Sequence, residues 1–151
     1  MFRRSRFYTL FFLSGFAALL YQIVWQRALF TFYGVNIESV TVIVTAFMIG
    51  LGFGSLAGGR LSTVRGLPLL GVFGAIECGI GLFGFVSLSL FARVASWTAG
   101  SSAAVVGPIT LGLLLVPTLL MGATLPLLAA HFVRETANVG ESVGILYCVD
   151  T

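Results

Sequence analysis

The chain has 151 residues, of which 58% are hydrophobic and 9% are charged, and its formal net charge is +3. A soluble domain has roughly a quarter of its residues charged, and no soluble fold of this length could cover so much apolar surface. This charge is the balance of eight dispersed arginines and five carboxylates. No basic patch is interleaved with aromatic residues, so nucleic acid is not an expected partner.

Four long apolar segments make up most of the sequence. They cover residues 7–32, 40–59, 67–92 and 103–130. Each reaches the roughly 20 residues that a helix needs to cross a hydrocarbon layer about 30 Å thick. The sequence therefore predicts an all-α integral membrane protein with four transmembrane helices. Residues 1–151 are expected to form one helical domain without a soluble catalytic domain.

The arginines predict how these helices are oriented. With the N-terminus in the cytoplasm, six arginines lie inside and two lie outside, as the positive-inside rule requires. The apolar run after the basic head is too long for a cleaved signal peptide, so the first helix is expected to remain. The expected location is the cytoplasmic (inner) membrane of a bacterial-type cell. The inside set is Arg3, Arg4, Arg6, Arg60, Arg65 and Arg134, and the outside set is Arg27 and Arg93.

The first predicted helix ends in a polar patch. Gln22 and Gln26 are four residues apart and share one helix face, beside a stripe formed by Tyr21 and Trp25. Trp25 and the following Arg27 fit the membrane interface, where arginine side chains reach toward water. Gln22 lies deeper, and two interpretations remain open for it: a hydrogen bond between helices, or the lining of a polar cavity.

The second predicted helix carries a stripe of small residues. Gly50, Gly54 and Gly58 recur every four residues, so they lie on one face. Small residues allow two helix backbones to approach closely, which is what drives helix association in lipid. The pattern predicts a packing surface and does not by itself indicate a ligand.

The third predicted helix contains Glu77, placed about 15 Å from the helix start and close to the bilayer midplane. Pro68 is predicted to lie in the first turn of this helix, where a missing N–H costs little. An intramembrane carboxylate is costly and is expected to face the bundle and find a partner. Both a structural hydrogen bond and a proton- or substrate-coupling role remain open for Glu77.

The fourth predicted helix contains several prolines. Pro117 and Pro126 flank a segment that includes Gly122 and Thr124. Because proline removes a backbone N–H and crowds the preceding turn, this segment predicts a kinked or partly unwound helix. Transporters place such breaks at binding sites, but kinks also serve ordinary packing. Residues 140–151 read as the approach to a fifth helix, so the four helices are expected to be an incomplete bundle.

No metal or cofactor is expected from the spacing of the residues that could hold one. The chain has two isolated cysteines, Cys78 and Cys148, and one histidine, His131. These positions do not form the closely spaced ligand pattern of a zinc site. His131 is expected to lie at the membrane interface.

Four regions of the chain carry a resemblance to a known family. They are residues 12–19 (FLSGFAAL) with 21–27 (YQIVWQR), residues 50–61, residues 77–83 (ECGIGLF) and residues 117–126 (PTLLMGATLP). Together they resemble the membrane region of spermidine synthase-like proteins, which is similar to the major facilitator superfamily. The resemblance covers nearly the whole chain. It implies the N-terminal part of a facilitator-like bundle and, in longer relatives, a C-terminal aminopropyltransferase domain.

Three departures limit what this resemblance implies. Ser62 and Thr63 stand where facilitator-type proteins usually carry an aspartate. The chain ends at Asp150 and Thr151, where similar proteins carry asparagine and threonine and continue into another helix. No glycine-rich strand–helix turn with a following acidic residue is present to hold a nucleoside. The chain alone is therefore not expected to be an enzyme.

Three functions remain open on the sequence. The leading one is a membrane-embedded N-terminal portion of a facilitator-like protein with a transporter-like role, in which Glu77 acts with Gln22 and Tyr21. The second is a structural transmembrane subunit of a larger complex, and the third is the membrane anchor of a polyamine aminopropyltransferase. In each case the expected partners are lipid and further transmembrane helices, from the rest of the protein, a second copy or another chain.

Overall fold

Four helices form the part of the chain that the computed structural model describes, residues 2–33 and 37–136, with side chains described for 12–31, 40–102 and 104–134. They are α1 (Phe2–Tyr33), α2 (Ile37–Ser62), α3 (Leu69–Trp97) and α4 (Ala103–Thr136). No strand occurs in those residues. The predicted all-helical fold with four helices is confirmed.

The helices extend beyond the apolar segments that predicted them. α1 begins earlier than expected, α2 is longer at both ends, and α3 and α4 continue past the last apolar residues. The reason is that hydropathy marks the part of a helix that contacts lipid, whereas backbone hydrogen bonds continue into the interface. The start of α3 was predicted wrongly. Pro68 lies just before the first helical residue. Its backbone angles are φ −75° and ψ 84°, and this ψ is extended rather than helical.

Three of the helices are long and apolar enough to cross a membrane: Val40–Ser62 within α2, Leu69–Trp97, and Ala104–Arg134 within α4. α1 is not among them over the residues whose side chains the structure describes. Large apolar side chains cover the outer surfaces of the bundle; Phe85, for example, is 88% exposed. Such a surface fits contact with membrane lipid and not with water.

α1 and α3 run parallel and in register. Ser14 contacts Glu77, and Trp25 contacts Ser87, at sequence separations of 63 and 62. The ring of Tyr21 lies against Gly84 between these two contacts. Because these separations are nearly equal, each level of α1 faces a fixed level of α3.

α2 and α4 form the most extensive helix pair, and they are also parallel. Thr118 contacts Ala46 in the interior of both helices, and Arg134 contacts Ser62 near the ends of both. α3 and α4 run in opposite directions, as helices joined by a short connection do. The chain therefore alternates in direction, with odd-numbered helices pointing one way and even-numbered helices the other.

The centre of the bundle is built on Trp25, which is 1% exposed. Its ring stacks on Tyr21 at a centroid distance of 5.1 Å and contacts Phe83 and Phe91 edge-on at 5.7 and 6.1 Å. Phe47 of α2 completes the cluster at 6.2 Å. Aromatic pairs with this offset and edge-to-face geometry add to the stability that burial alone provides. Trp25 thus joins α1, α2 and α3.

Candidate intramembrane polar site

A hydrogen bond joins α1 to α3 through Glu77, the single acidic residue in the part of the chain whose side chains are described. The hydroxyl of Ser14 donates to Oε1 of Glu77 over 2.6 Å. Both side chains are half-buried at the helix contact. The distance is typical of a hydrogen bond from a hydroxyl to a carboxylate oxygen. The carboxyl group of Glu77 therefore has a protein partner on one oxygen and partial access to its surroundings.

The depth of Glu77 follows from the bounds of α3. It lies about 12 Å along the helix from Leu69 and about 30 Å from Trp97. It is thus nearer to the start of α3 than the sequence predicted, because the helix begins after Pro68. Tyr21, through its contact with Gly84, lies about 10 Å further along the same interface.

The ring of Tyr21 occupies the space that a side chain at Gly84 would need. A Cβ atom added to Gly84 would overlap the phenol ring of Tyr21. Next along the interface, Nε1 of Trp25 donates to the hydroxyl of Ser87 over 3.0 Å, and that hydroxyl donates to the carbonyl of Gly84 over 2.8 Å. The polar groups of Trp25 and Ser87 are therefore paired inside the core, as buried polar groups must be in lipid.

Gln22 and Gln26 remain outside this network. Neither amide hydrogen-bonds another residue in the described part of the chain, and both side chains are half-buried. Gln26 lines a shallow groove with Ile23, Arg27 and Phe30, all of them on α1. A groove on one helix does not enclose a ligand. The structure thus brings Tyr21 to the contact with α3 but does not bring Gln22, Gln26 or Arg27 to Glu77.

The glycine stripe of α2 lies directly against α4. A Cβ atom on Gly58 would be 2.7 Å from the carbonyl oxygen of Ala123, and one on Gly54 would lie even closer to the carbonyl oxygen of Leu119. The hydroxyl of Thr118 lies within hydrogen-bonding distance of two carbonyls of its own helix, 2.8 Å for Leu114, and of Ala46 on α2 at 3.3 Å. This seam is a backbone-to-backbone contact.

The proline-containing segment of α4 is helical throughout. The helix runs without interruption through Pro117, Gly122, Thr124 and Pro126, so the partial unwinding that the sequence allowed does not occur. Next to Pro117, the Thr118 hydroxyl donates to the carbonyl of Leu114, one turn back in the same helix. The kink itself stays a prediction.

Three polar residues of the interfaces were missed by sequence reasoning: Ser14, Ser87 and Thr118. Ser14 lies seven residues before Tyr21 and Ser87 lies three after Gly84, so a helical projection places each serine on the face of its neighbour but does not pair it with a residue of another helix. Thr118 carried no such signal, because it sits in an apolar run beside a proline. Among the described residues there is no cluster of three side chains able to hold a metal ion, and Cys78 is a free, exposed thiol.

No protein-family model, curated protein or solved structure matches the chain. The resemblance to the membrane region of spermidine synthase-like proteins therefore stays a prediction.

Proposed function

We propose that the chain is a multi-pass membrane module with a transporter-like role, in which Glu77 is the coupling residue. The observation that carries the proposal is the hydrogen bond from Ser14 to Glu77 within helices that are otherwise apolar. A carboxyl group at such depth is costly, so its presence there is a functional indication by default.

The register between α1 and α3 supports a fourth crossing of the membrane. Since Ser14 faces Glu77 and Trp25 faces Ser87, α1 runs alongside α3 through the middle of that helix. A helix fixed at the same depth as its transmembrane neighbour crosses the same layer. The parallel pairing also places six of the eight arginines at one end of the bundle. That asymmetry favours an N-terminus in the cytoplasm and an inner-membrane location.

In this proposal Glu77 accepts a proton from one side of the membrane and releases it to the other. Ser14 donates to one carboxylate oxygen and leaves the second oxygen to receive the proton. Half-burial at a helix contact allows exchange if α1 shifts against α3. The tight α2–α4 seam, by contrast, forms the fixed part of the module.

The test measures proton transfer by the full chain reconstituted in liposomes that contain a pH-sensitive dye. Wild type is expected to conduct protons down an imposed gradient, and Glu77→Gln is expected to reduce the rate at least about tenfold, as loss of a proton-relay carboxyl does. A carbodiimide, which adds to protonated carboxyl groups in apolar surroundings, is expected to label Glu77.

Matched variants separate a coupling role from a packing role. Ser14→Ala removes the hydrogen bond to Glu77 and should change the rate at which the carbodiimide labels that carboxyl group. Ser89→Ala, at an exposed position of α3, should leave this rate unchanged. Normal insertion of Glu77→Gln with full proton flux would refute the coupling role. Reporters inserted at Gly66 and Gly100 should report the cytoplasmic and outer sides respectively; the reverse result would overturn the orientation.

A second candidate, a structural subunit of a larger membrane complex, is favoured by one observation. Gln22 and Gln26 are half-buried amides without a hydrogen bond in the described residues, and a helix from another chain would supply one. Purification in mild detergent distinguishes the two functions. A stoichiometric partner, together with a Glu77→Gln substitution that has no effect, favours the structural subunit. A synthase partner would indicate an aminopropyltransferase anchor.

A further inference from the structure

Three arginines meet where α2 ends and α3 begins. Arg60 lies in the last turn of α2, Arg65 follows in the connection to α3, and Arg134 lies in the last turn of α4. All three side chains are exposed. We propose that this end of the bundle binds the phosphate headgroup of an anionic phospholipid.

Hydrogen bonds hold the connection in a compact turn against the end of α4. The N–H and the hydroxyl of Thr63 both donate to the carbonyl of Arg60, over 3.2 and 2.7 Å. Nη2 of Arg134 donates to the carbonyls of Ser62 and Val64, over 2.6 and 3.3 Å. The guanidinium of Arg134 is thereby held beside the peptide group that joins Val64 to Arg65. A compact turn therefore carries guanidinium groups from both parallel helices.

The positive charge of this turn is not neutralised by a neighbouring carboxylate on the connection. Residues 59–68 contain no acidic residue, and the three arginines together with Glu135, the sequence neighbour of Arg134, leave a net charge of +2. Across the parts of the chain whose side chains are described, Glu77 is the single carboxylate, and it is engaged by Ser14. Arginine also suits a phosphodiester, because its planar donors can bind two oxygens at once.

The position at the helix ends selects a lipid as the source of that phosphate. Arg60 and Arg134 lie in the last turns of helices that are long and apolar enough to cross a membrane, so their guanidinium groups reach headgroup depth. α1 brings Arg3, Arg4 and Arg6 to the same end through its register with α3. Within a cluster of basic residues at a membrane boundary, each residue adds about fivefold to the affinity for anionic lipid, the equivalent of ~1 kcal/mol.

The test counts bound lipids. The full chain in neutral phosphatidylcholine nanodiscs receives increasing phosphatidylglycerol, and native mass spectrometry measures the lipids that stay bound. Wild type should retain phosphatidylglycerol, and Arg60→Gln with Arg65→Gln should weaken retention about 30-fold. The matched double variant Arg27→Gln with Arg93→Gln, at the opposite end of α1 and α3, should stay within about twofold of wild type.

Three further results decide the proposal. Arg60→Lys with Arg65→Lys should restore most of the retention, because charge is the main contribution. Equal loss in the two glutamine double variants would overturn the assignment to this end of the bundle. Displacement of the lipid by millimolar inorganic phosphate would also overturn it, since a free-anion site and not a headgroup site would then be present. The emission of the buried Trp25 reports that each variant is folded.

Discussion

Replacing Gly58 with alanine should open the seam between α2 and α4. The added Cβ would lie 2.7 and 2.8 Å from the carbonyl oxygen and Cα of Ala123, and 2.9 Å from Cγ of Pro126. Ordinary contact begins at 3.4 Å, and two of these atoms are backbone, so a rotamer change cannot relieve the overlap. The helices must separate by about 0.7 Å, and a gap of 0.5–1 Å forfeits a quarter to a half of each dispersion contact.

The cost of this separation is set by overpacking, which typically destabilises a protein by about 1–3 kcal/mol. We expect a loss of about 2 kcal/mol in the free energy of unfolding, roughly a 30-fold change in the equilibrium constant. Gly59→Ala is the control, since a Cβ on Gly59 meets no atom within 4 Å. Both changes give the same gain in helix propensity, so their difference isolates the contact.

The assay is unfolding in mixed micelles by increasing dodecyl sulfate, followed by tryptophan fluorescence. The chain has two tryptophans, and Trp97 is 91% exposed while Trp25 is 1% exposed. In a Trp97→Phe background the signal therefore comes from the core alone. Unfolding free energies of Gly58→Ala and Gly59→Ala that agree within about 0.5 kcal/mol would refute the close approach of α2 and α4 at this level.

Two other changes probe the polar contacts of the bundle. Ser87→Ala removes the acceptor of the Trp25 Nε1–H. It should lower the free energy of unfolding by about 1 kcal/mol in the same assay and shift the Trp25 emission. Ser89→Ala, at an exposed position, should do neither. Arg134→Gln removes the hydrogen bonds to the carbonyls of Ser62 and Val64, so trypsin should cleave after Arg65 faster than in wild type. An unchanged cleavage rate would contradict the role of Arg134 in holding the end of α2 in place.

The number and type of the helices could be predicted from hydropathy, since long apolar segments have few alternatives in a membrane. Helix ends could not, as α3 shows: Pro68 was placed inside it, yet its ψ of 84° leaves it just outside. Propensity rules permit proline at either position, and only the backbone geometry decides between them.

The candidate site was predictable in part. An intramembrane glutamate stands out in any apolar sequence, so Glu77 could be singled out, but its partner could not. Ser14 is 63 residues away, and serine is common in membrane helices without a special role. The pairing depends on the register of α1 against α3, which is fixed by the fit of Tyr21 against Gly84 and of Trp25 among its aromatic neighbours. Such shape complementarity is not visible in a single sequence.

The pairing of alternate helices has a consequence for biosynthesis. Neither parallel pair is made of consecutive helices. α1 and α3 can pack together before α4 is made, whereas the glycine face of α2 has no partner until α4 has left the ribosome. Arg134 is the most C-terminal residue with a described contact to another helix. Among the described contacts between helices, its hydrogen bonds to the carbonyls of Ser62 and Val64 are therefore the last that can form in the order of synthesis, when the end of α4 reaches the end of α2.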